Sequence, residues 1–293
     1  MKKGFYTALG TPTDENGAFV EAGMANQIAQ QLDAGASGLL VMGSMGKEAF
    51  IRNSEYAKVA RGSAKAAAGA VPVLVGVTDV SIGRVMDRID SLKGIEGIDG
   101  VVTTVPYYST CTQADIFDFY NEIAKQSPWP VYLYDLAVVT KTATLPSTVQ
   151  KLWKNPNIKG IKSGNLVTQR TLLLAEDRPA DFSMMFSNID EFDIAYHYGI
   201  DKNLDGMFAC TPKTAKRLYA ALEAGEMESA ARYLNGILSF RDLMRDMPCL
   251  MTAFSHAMNM LGCEGYFAVD YQQAASGEDI EKVAAKLKEL GEL

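Results

Sequence analysis

The chain has 293 residues, 48% of them hydrophobic, which is enough apolar material for one large α/β unit or two ordinary domains. The formal net charge is -7 and no Lys/Arg block forms a basic stripe, so neither nucleic acid nor an anionic membrane is an expected partner, and small molecules are. No window approaches the roughly 18 apolar residues of a membrane span, the amino-terminal run is a poor signal peptide, and Cys111, Cys210, Cys249 and Cys263 show no CxxC or disulfide-scaffold spacing; the expected compartment is the cytoplasm, with reduced thiols.

In chain order, Gly4 to Leu9 reads as a first strand, followed by a helical pattern over Glu21 to Ala34. Ser37 to Gly43 is the second strand, ending in the Gly-bracketed turn Gly43-Ser44-Met45-Gly46-Lys47 with exposed backbone N–H groups. This turn ends like a phosphate-binding loop, but Val41 and Glu48 break that pattern. A helix over Ser54 to Ala68 and a strand over Val71 to Val77 follow, then a strand over Gly100 to Val105 and a helix over Gln113 to Lys125. Pro130 to Tyr134 is the fifth strand and places Tyr134 at its end.

Ile158 to Lys162 is the sixth, an apolar run that nevertheless carries two lysines. Burying an ammonium without a partner is costly. Alternation puts Ile158, Gly160 and Lys162 on one face, with Lys162 near the carboxyl end, whereas Lys159 at the beginning can reach water at the opposite rim. Phe182 to Phe186 and Asp205 to Cys210 complete eight strands, spaced by roughly 30 residues, the span of a strand–helix unit. Continuous apolar strands are those covered on both faces, so the expected fold is a (β/α)8 TIM barrel over residues 1–225. The helix Thr214 to Ala224 closes it, with Gly225 as C-cap. Residues 226–293 show only helical pattern, over Glu226 to Arg245, Leu250 to Leu261 and Asp279 to Leu290, and are expected to form a helical bundle packed on the barrel.

Active sites of such barrels form at the carboxyl ends of the strands. A lysine, a phenol and an anion-ready turn meeting there suit carbonyl chemistry through an imine: a desolvated Lys162 attacks a ketone, Tyr134 moves protons, and the Ser44 and Met45 amides hold an adjacent carboxylate. His197 and His256 are the only histidines and stand far apart, and no GxSxG occurs, so neither a metal-dependent aldolase nor a serine hydrolase is expected, and no cofactor or metal is.

With these motifs the chain resembles the dihydrodipicolinate synthase / N-acetylneuraminate lyase family of Schiff-base aldolases. Thr7 to Pro12, Gly43 to Gly46, Pro106-Tyr107-Tyr108, Tyr132 to Asp135 and Gly160-Ile161-Lys162 resemble its opening strand, carboxylate loop, paired-tyrosine turn, proton-shuttle strand and Schiff-base strand. The resemblance implies Lys162 as the imine-forming residue and Tyr134 as proton donor and acceptor, with Ser44 completing a relay to Tyr108, which in relatives commonly approaches across a subunit interface. It also implies a 2-oxo acid such as pyruvate, an aldehyde partner, and a homotetramer built as a dimer of dimers.

The pattern departs from the family at three positions. Met45 stands where relatives usually have Thr, Lys47 where they usually have Glu, placing a positive charge near the loop, and Val139 where dihydrodipicolinate synthases place an arginine that clamps the second substrate's carboxylate. Asp190 and Glu191 fall where sugar-acid lyases bind substrate hydroxyls, with capping of the next helix as the other role for Asp190. Ser44, Met45, Val139, Asp190, Glu191 and Cys210 are the expected substrate-binding positions. The expected function is an N-acetylneuraminate-lyase-like enzyme. The alternatives are 4-hydroxy-tetrahydrodipicolinate synthase and a non-catalytic 2-oxo-acid-binding protein.

Overall fold

The computed structural model describes residues 1–293. Eight parallel strands, β1 (Gly4–Ala8), β2 (Gly38–Val41), β3 (Val73–Gly76), β4 (Gly100–Thr103), β5 (Val131–Asp135), β6 (Ile158–Ser163), β7 (Ser183–Phe186) and β8 (Lys202–Asp205), close into a barrel in sequence order. The helices outside it are α1 (Glu21–Ala34), α2 (Asn53–Ala67), α3 (Ile82–Ser91), α4 (Gln113–Gln126), α5 (Ala137–Thr140), α6 (Pro146–Leu152), α7 (Leu166–Leu173), α8 (Phe192–His197) and α9 (Pro212–Ala224). The tail adds α10 (Met227–Arg245), α11 (Leu250–Met260) and α12 (Gly277–Glu289).

Strand alternation sorts the side chains into two layers. Leu39, Val41, Val73, Val75, Val101, Leu133 and Ile161 face outward and pack beneath the helices. Tyr6, Ala8, Leu40, Leu74, Val102, Tyr132, Tyr134, Met185 and Leu204 point inward and fill the barrel. Gly160 makes room for this filling: a Cβ there would lie 2.3 Å from the Ser183 carbonyl oxygen and 2.8 Å from the Tyr132 ring. One expectation changes here. The β5–β6 pairing shifts register between Val131 and Tyr132, and Ile158 therefore packs in the outer layer instead of sharing a face with Gly160 and Lys162. Lys159 leaves the barrel at the amino-terminal rim and pairs with Asp181 at 2.5 Å.

The eighth strand also differs from its sequence reading. It runs over Lys202–Asp205, pairing Gly4 through Thr7 of β1, while Met207–Ala209 is a 3-10 turn. Met207, Phe208 and Ala209 are apolar because they are buried beneath the tail helices, in one cluster with Phe5, Phe240 and Phe254. An apolar run reports burial, and here burial came from the tail rather than from the sheet.

The tail is joined to the barrel by specific contacts as well as by that cluster. The Glu292 carboxylate accepts from the Lys213 and Thr214 amides at 3.0 and 2.7 Å, capping the start of α9. Arg241 of α10 grips Asp190, just beyond β7, through two hydrogen bonds of 2.5 and 2.8 Å. Helix α10 is thereby fixed over the carboxyl-terminal mouth of the barrel.

Candidate active site

A cavity of about 250 Å³ opens at that mouth. Its walls include Ser44 and Met45 after β2, Tyr134 of β5, Lys162 of β6, Ser187, Asn188 and Asp190 after β7, and Asp205 to Met207 at the end of β8. Arg241, Arg245 and Leu250 close it from the tail. The cavity thus collects residues from strands β5 and β6, from the connections after β2 and β7, from the end of β8 and from two tail helices.

Lys162 is 6% exposed and sits between Tyr134 and Met185 in the sheet register. Its Nζ lies 3.7 Å from the Tyr134 ring centroid, a cation–π contact, and no carboxylate forms an ion pair with it. The lysine stem is covered by the barrel interior and the amine is presented to a small cavity. Tyr134 in turn places its hydroxyl 3.4 Å from Ser44 Oγ, a long hydrogen bond in which either group can donate.

The turn that carries Ser44 is held in an unusual conformation. Met42 and Lys47, on either side, have φ of 53° and 47°, left-handed values that non-glycine residues seldom adopt. The amides of Ser44 and Met45 donate to no protein acceptor. Two consecutive N–H groups beside a lysine and a phenol are thus left without a protein acceptor. Met45 itself lies against Gly206, where a Cβ would come within 2.6 Å of the methionine methyl, so its side chain covers β8 and offers the cavity no hydroxyl.

Lys47 does not bring its charge to this cavity. Its Nζ donates to Thr13 Oγ1, Tyr266 O and Ala268 O at 2.8, 2.9 and 3.0 Å, behind the turn, where burial lowers its pKa to about 8. The neighbouring Glu48 is buried and accepts from the Thr78 amide at 2.5 Å; burial pushes its carboxyl up to about 7. The left-handed turn therefore hides both ionisable side chains that follow it.

Of the other expected positions, Asp190 lines the cavity, but both its oxygens are taken by Arg241, whose guanidinium holds the carboxyl below the usual range. It does not cap a helix by its side chain; Asn188 accepts from the Asp190 amide at 3.3 Å and caps the 3-10 turn Ile189–Glu191. Glu191 lies outside the cavity wall, at the start of α8. Val139, in α5, is 45% exposed and also outside it. Cys210 is fully buried, with its thiol donating to Met207 O at 3.4 Å and burial raising its pKa well above the usual value. Tyr108 is 86% exposed and makes no hydrogen bond to Ser44 or Tyr134 within the chain.

Asp205, Arg241 and Arg245 are cavity residues the sequence did not disclose. Asp205 Oδ1 accepts from the Met207 amide at 2.7 Å, and the other oxygen has no protein partner. Burial raises its pKa, opposed by the Met207 hydrogen bond and by the charges of Lys162 and Arg241. The one sequence signal was Gly206 immediately after it, marking Asp205 as the end of a strand rather than the start. For the two arginines there was none, because tail helices carry no mark of which barrel rim they cover.

The family model described as "Dihydrodipicolinate synthetase family" matches residues 1–271. A 4-hydroxy-tetrahydrodipicolinate synthase of Ligilactobacillus salivarius is 25% identical over 260 residues, covering 87% of this chain and 88% of the relative. The enzyme of the same name from Kosmotoga olearia is 31% identical over 208 residues, covering 68% and 69%. Among solved structures, dihydrodipicolinate synthase from Bacteroides thetaiotaomicron superposes with a TM-score of 0.89 at 23% identity, covering 98% of each chain.

Proposed function

Since this chain belongs to the dihydrodipicolinate synthetase family and is an aldolase-type lyase, we propose that it acts on a carbon–carbon bond beside the ketone of a 2-oxo acid through an imine on Lys162. The observation that carries the reading is the position of Lys162, desolvated by the barrel, against the Tyr134 ring and facing a cavity lined also by Ser44 and Met45, whose amides have no protein acceptor. In the condensing direction the amine adds to the ketone carbon of pyruvate, water leaves, and the resulting iminium draws electrons as a methyl proton departs. The enamine carbon then attacks an aldehyde, and hydrolysis frees the product and the lysine. Tyr134 suits the proton transfers, with Ser44 passing protons onward. The two free amides suit the carboxylate of the oxo acid.

For the aldehyde, the names of the relatives favour a 4-hydroxy-tetrahydrodipicolinate synthase reaction, with aspartate semialdehyde as partner. An N-acetylneuraminate-type partner would need hydroxyl acceptors at Asp190 and Glu191; the first is consumed by Arg241 and the second lies off the cavity.

The protein is proposed to assemble as a homotetramer, a dimer of dimers. Two sets of exposed apolar side chains support this: Tyr108 and Val138 beyond β4 and β5, and Val167, Leu174, Ile194 and Tyr198 on and beside α7 and α8. In such an assembly Tyr108 can complete the relay at a neighbouring subunit. Sedimentation of the intact protein tests the assembly.

Incubation with pyruvate and borohydride tests the chemistry. The expected result is a mass increase confined to the peptide bearing Lys162, together with turnover of aspartate semialdehyde. An unmodified peptide from folded protein removes the imine. Trapping without turnover of any aldehyde in a panel points to a 2-oxo-acid-binding protein, and turnover of sugar acids alone to the lyase reading.

A further inference from the structure

The cavity wall carries three cations, Lys162, Arg241 and Arg245, against two carboxylates, Asp190 and Asp205. Lys162 is the covalent residue of the reading above. Arg241 is fully engaged: its guanidinium donates to both Asp190 oxygens and, through Nε and Nη2, to Asp242 Oδ1 at 2.9 and 2.8 Å. Arg245 is different. Its nearest acidic atom, Asp242 Oδ1, is 3.8 Å away, beyond hydrogen-bond reach and already held by Arg241, and the side chain is 58% exposed. It is the one guanidinium of the cavity with an unused donor fork.

Its placement is also determined. Arg245 follows Arg241 by four residues on α10, so the two share one helix face, and the Asp190 clasp fixes that face over the mouth. The cation lies at the mouth, above the barrel end where Lys162 would hold the oxo acid. Helix α5, which follows β5, supplies none: Ala137 to Thr140 include no cation, and Val139 is apolar and off the cavity. An anionic aldehyde entering over the imine therefore meets a cation from the tail.

We propose that Arg245 determines specificity for the second substrate, its guanidinium pairing with the carboxylate of an aldehyde that carries an anionic end. This rests on the imine reading above. A planar fork pairs best with a carboxylate, in two parallel N–H···O hydrogen bonds, whereas a phosphate would use the same donors with less exclusive geometry. Asp190, neutralised by Arg241, does not oppose the anion. Asp205, at the end of β8, remains available to an amino or hydroxyl group on the same partner.

The test compares the parent, Arg245→Gln and Arg245→Lys, with pyruvate as first substrate and three aldehydes: aspartate semialdehyde, glyceraldehyde 3-phosphate and a neutral hydroxyaldehyde. For Arg245→Gln the ratio of kcat/KM for aspartate semialdehyde over the neutral aldehyde should drop about tenfold, carried by KM, as expected for one charge-assisted interaction at a half-exposed site. Arg245→Lys should restore part of it, and pyruvate trapping at Lys162 should match the parent. A larger drop for the phosphate than for the carboxylate would overturn the carboxylate assignment, and an unchanged ratio would overturn the proposal. Calorimetry of succinate semialdehyde on pyruvate-trapped protein should show the same weakening without turnover; equal affinity in parent and variant counts against Arg245. Failure of trapping in the parent itself would instead remove the imine reading on which the proposal stands.

Discussion

The Lys162 nitrogen lies 3.7 Å from the centroid of the Tyr134 ring, its partner directly across the β5–β6 ladder. One phenol thus does two things: its ring face covers the amine, and its hydroxyl points to Ser44 at 3.4 Å. The two roles separate in a single substitution.

Tyr134→Phe keeps the ring and removes the hydroxyl. Trapping of pyruvate on Lys162 should persist, while kcat should fall by about 10²- to 10⁴-fold, the usual worth of a positioned proton-transfer group. Steady-state rates beside borohydride trapping provide the check; an unimpaired kcat would leave Tyr134 as packing alone.

Glu48 predicts a pH dependence of stability. Burial raises its carboxyl from 4.5 to about 7, against the Thr78 amide and the charge of Arg88, with Asp79 nearby pushing the same way as burial. Between these values the folded state holds a proton that the unfolded state has lost, so stability falls as pH rises from about 4.5 to about 7. The full effect is on the order of 3 kcal/mol. Glu48→Gln retains an acceptor for Thr78 and should abolish most of that slope, read from urea denaturation at pH 5 and pH 8.

Gly160→Ala would drive a methyl group to 2.3 Å from the Ser183 carbonyl oxygen and 2.8 Å from the Tyr132 ring. Neither backbone nor a ring packed in the barrel can yield cheaply, so a loss of roughly 3 kcal/mol in unfolding free energy is expected, read from a lowered denaturation midpoint. Because Lys162 is two residues on along the strand, trapping should slow as well.

The Asp190–Arg241 clasp predicts an asymmetry. Asp190→Ala leaves Arg241, 9% exposed, with only Asp242, whereas Arg241→Ala returns a half-exposed carboxylate to water. The first should cost more stability than its own lost hydrogen bonds suggest, and a double-mutant cycle should give a coupling of about 1–2 kcal/mol. Arg241→Ala should also raise KM for an anionic aldehyde, since α10 loses its anchor over the mouth.

Periodicity and punctuation made most of the barrel legible. Helix α1 was bounded to the residue, and seven of the eight strands overlapped their observed ranges along most of their length, because alternation, glycine and proline act locally. Lys162, Tyr134 and Ser44 could be read because they sit at strand ends, where a barrel gathers side chains. Asp205 was missed together with the true β8: its neighbours are apolar through contact with the tail, a long-range cause that a short window cannot register.

The amino-acid sequence by itself determined the closed barrel, the order of its strands and the residue at which an amine meets the cavity, since each follows from the two-residue alternation of strands and the turns that end them. The direction in which Lys47 points, the engagement of Asp190 by Arg241, and the arrival of Arg245 at the mouth were decided only by tertiary structure. Each depends on a left-handed turn or on a helix some fifty residues away folding back across the rim, and such contacts are fixed by packing between distant segments, not by the local pattern of either.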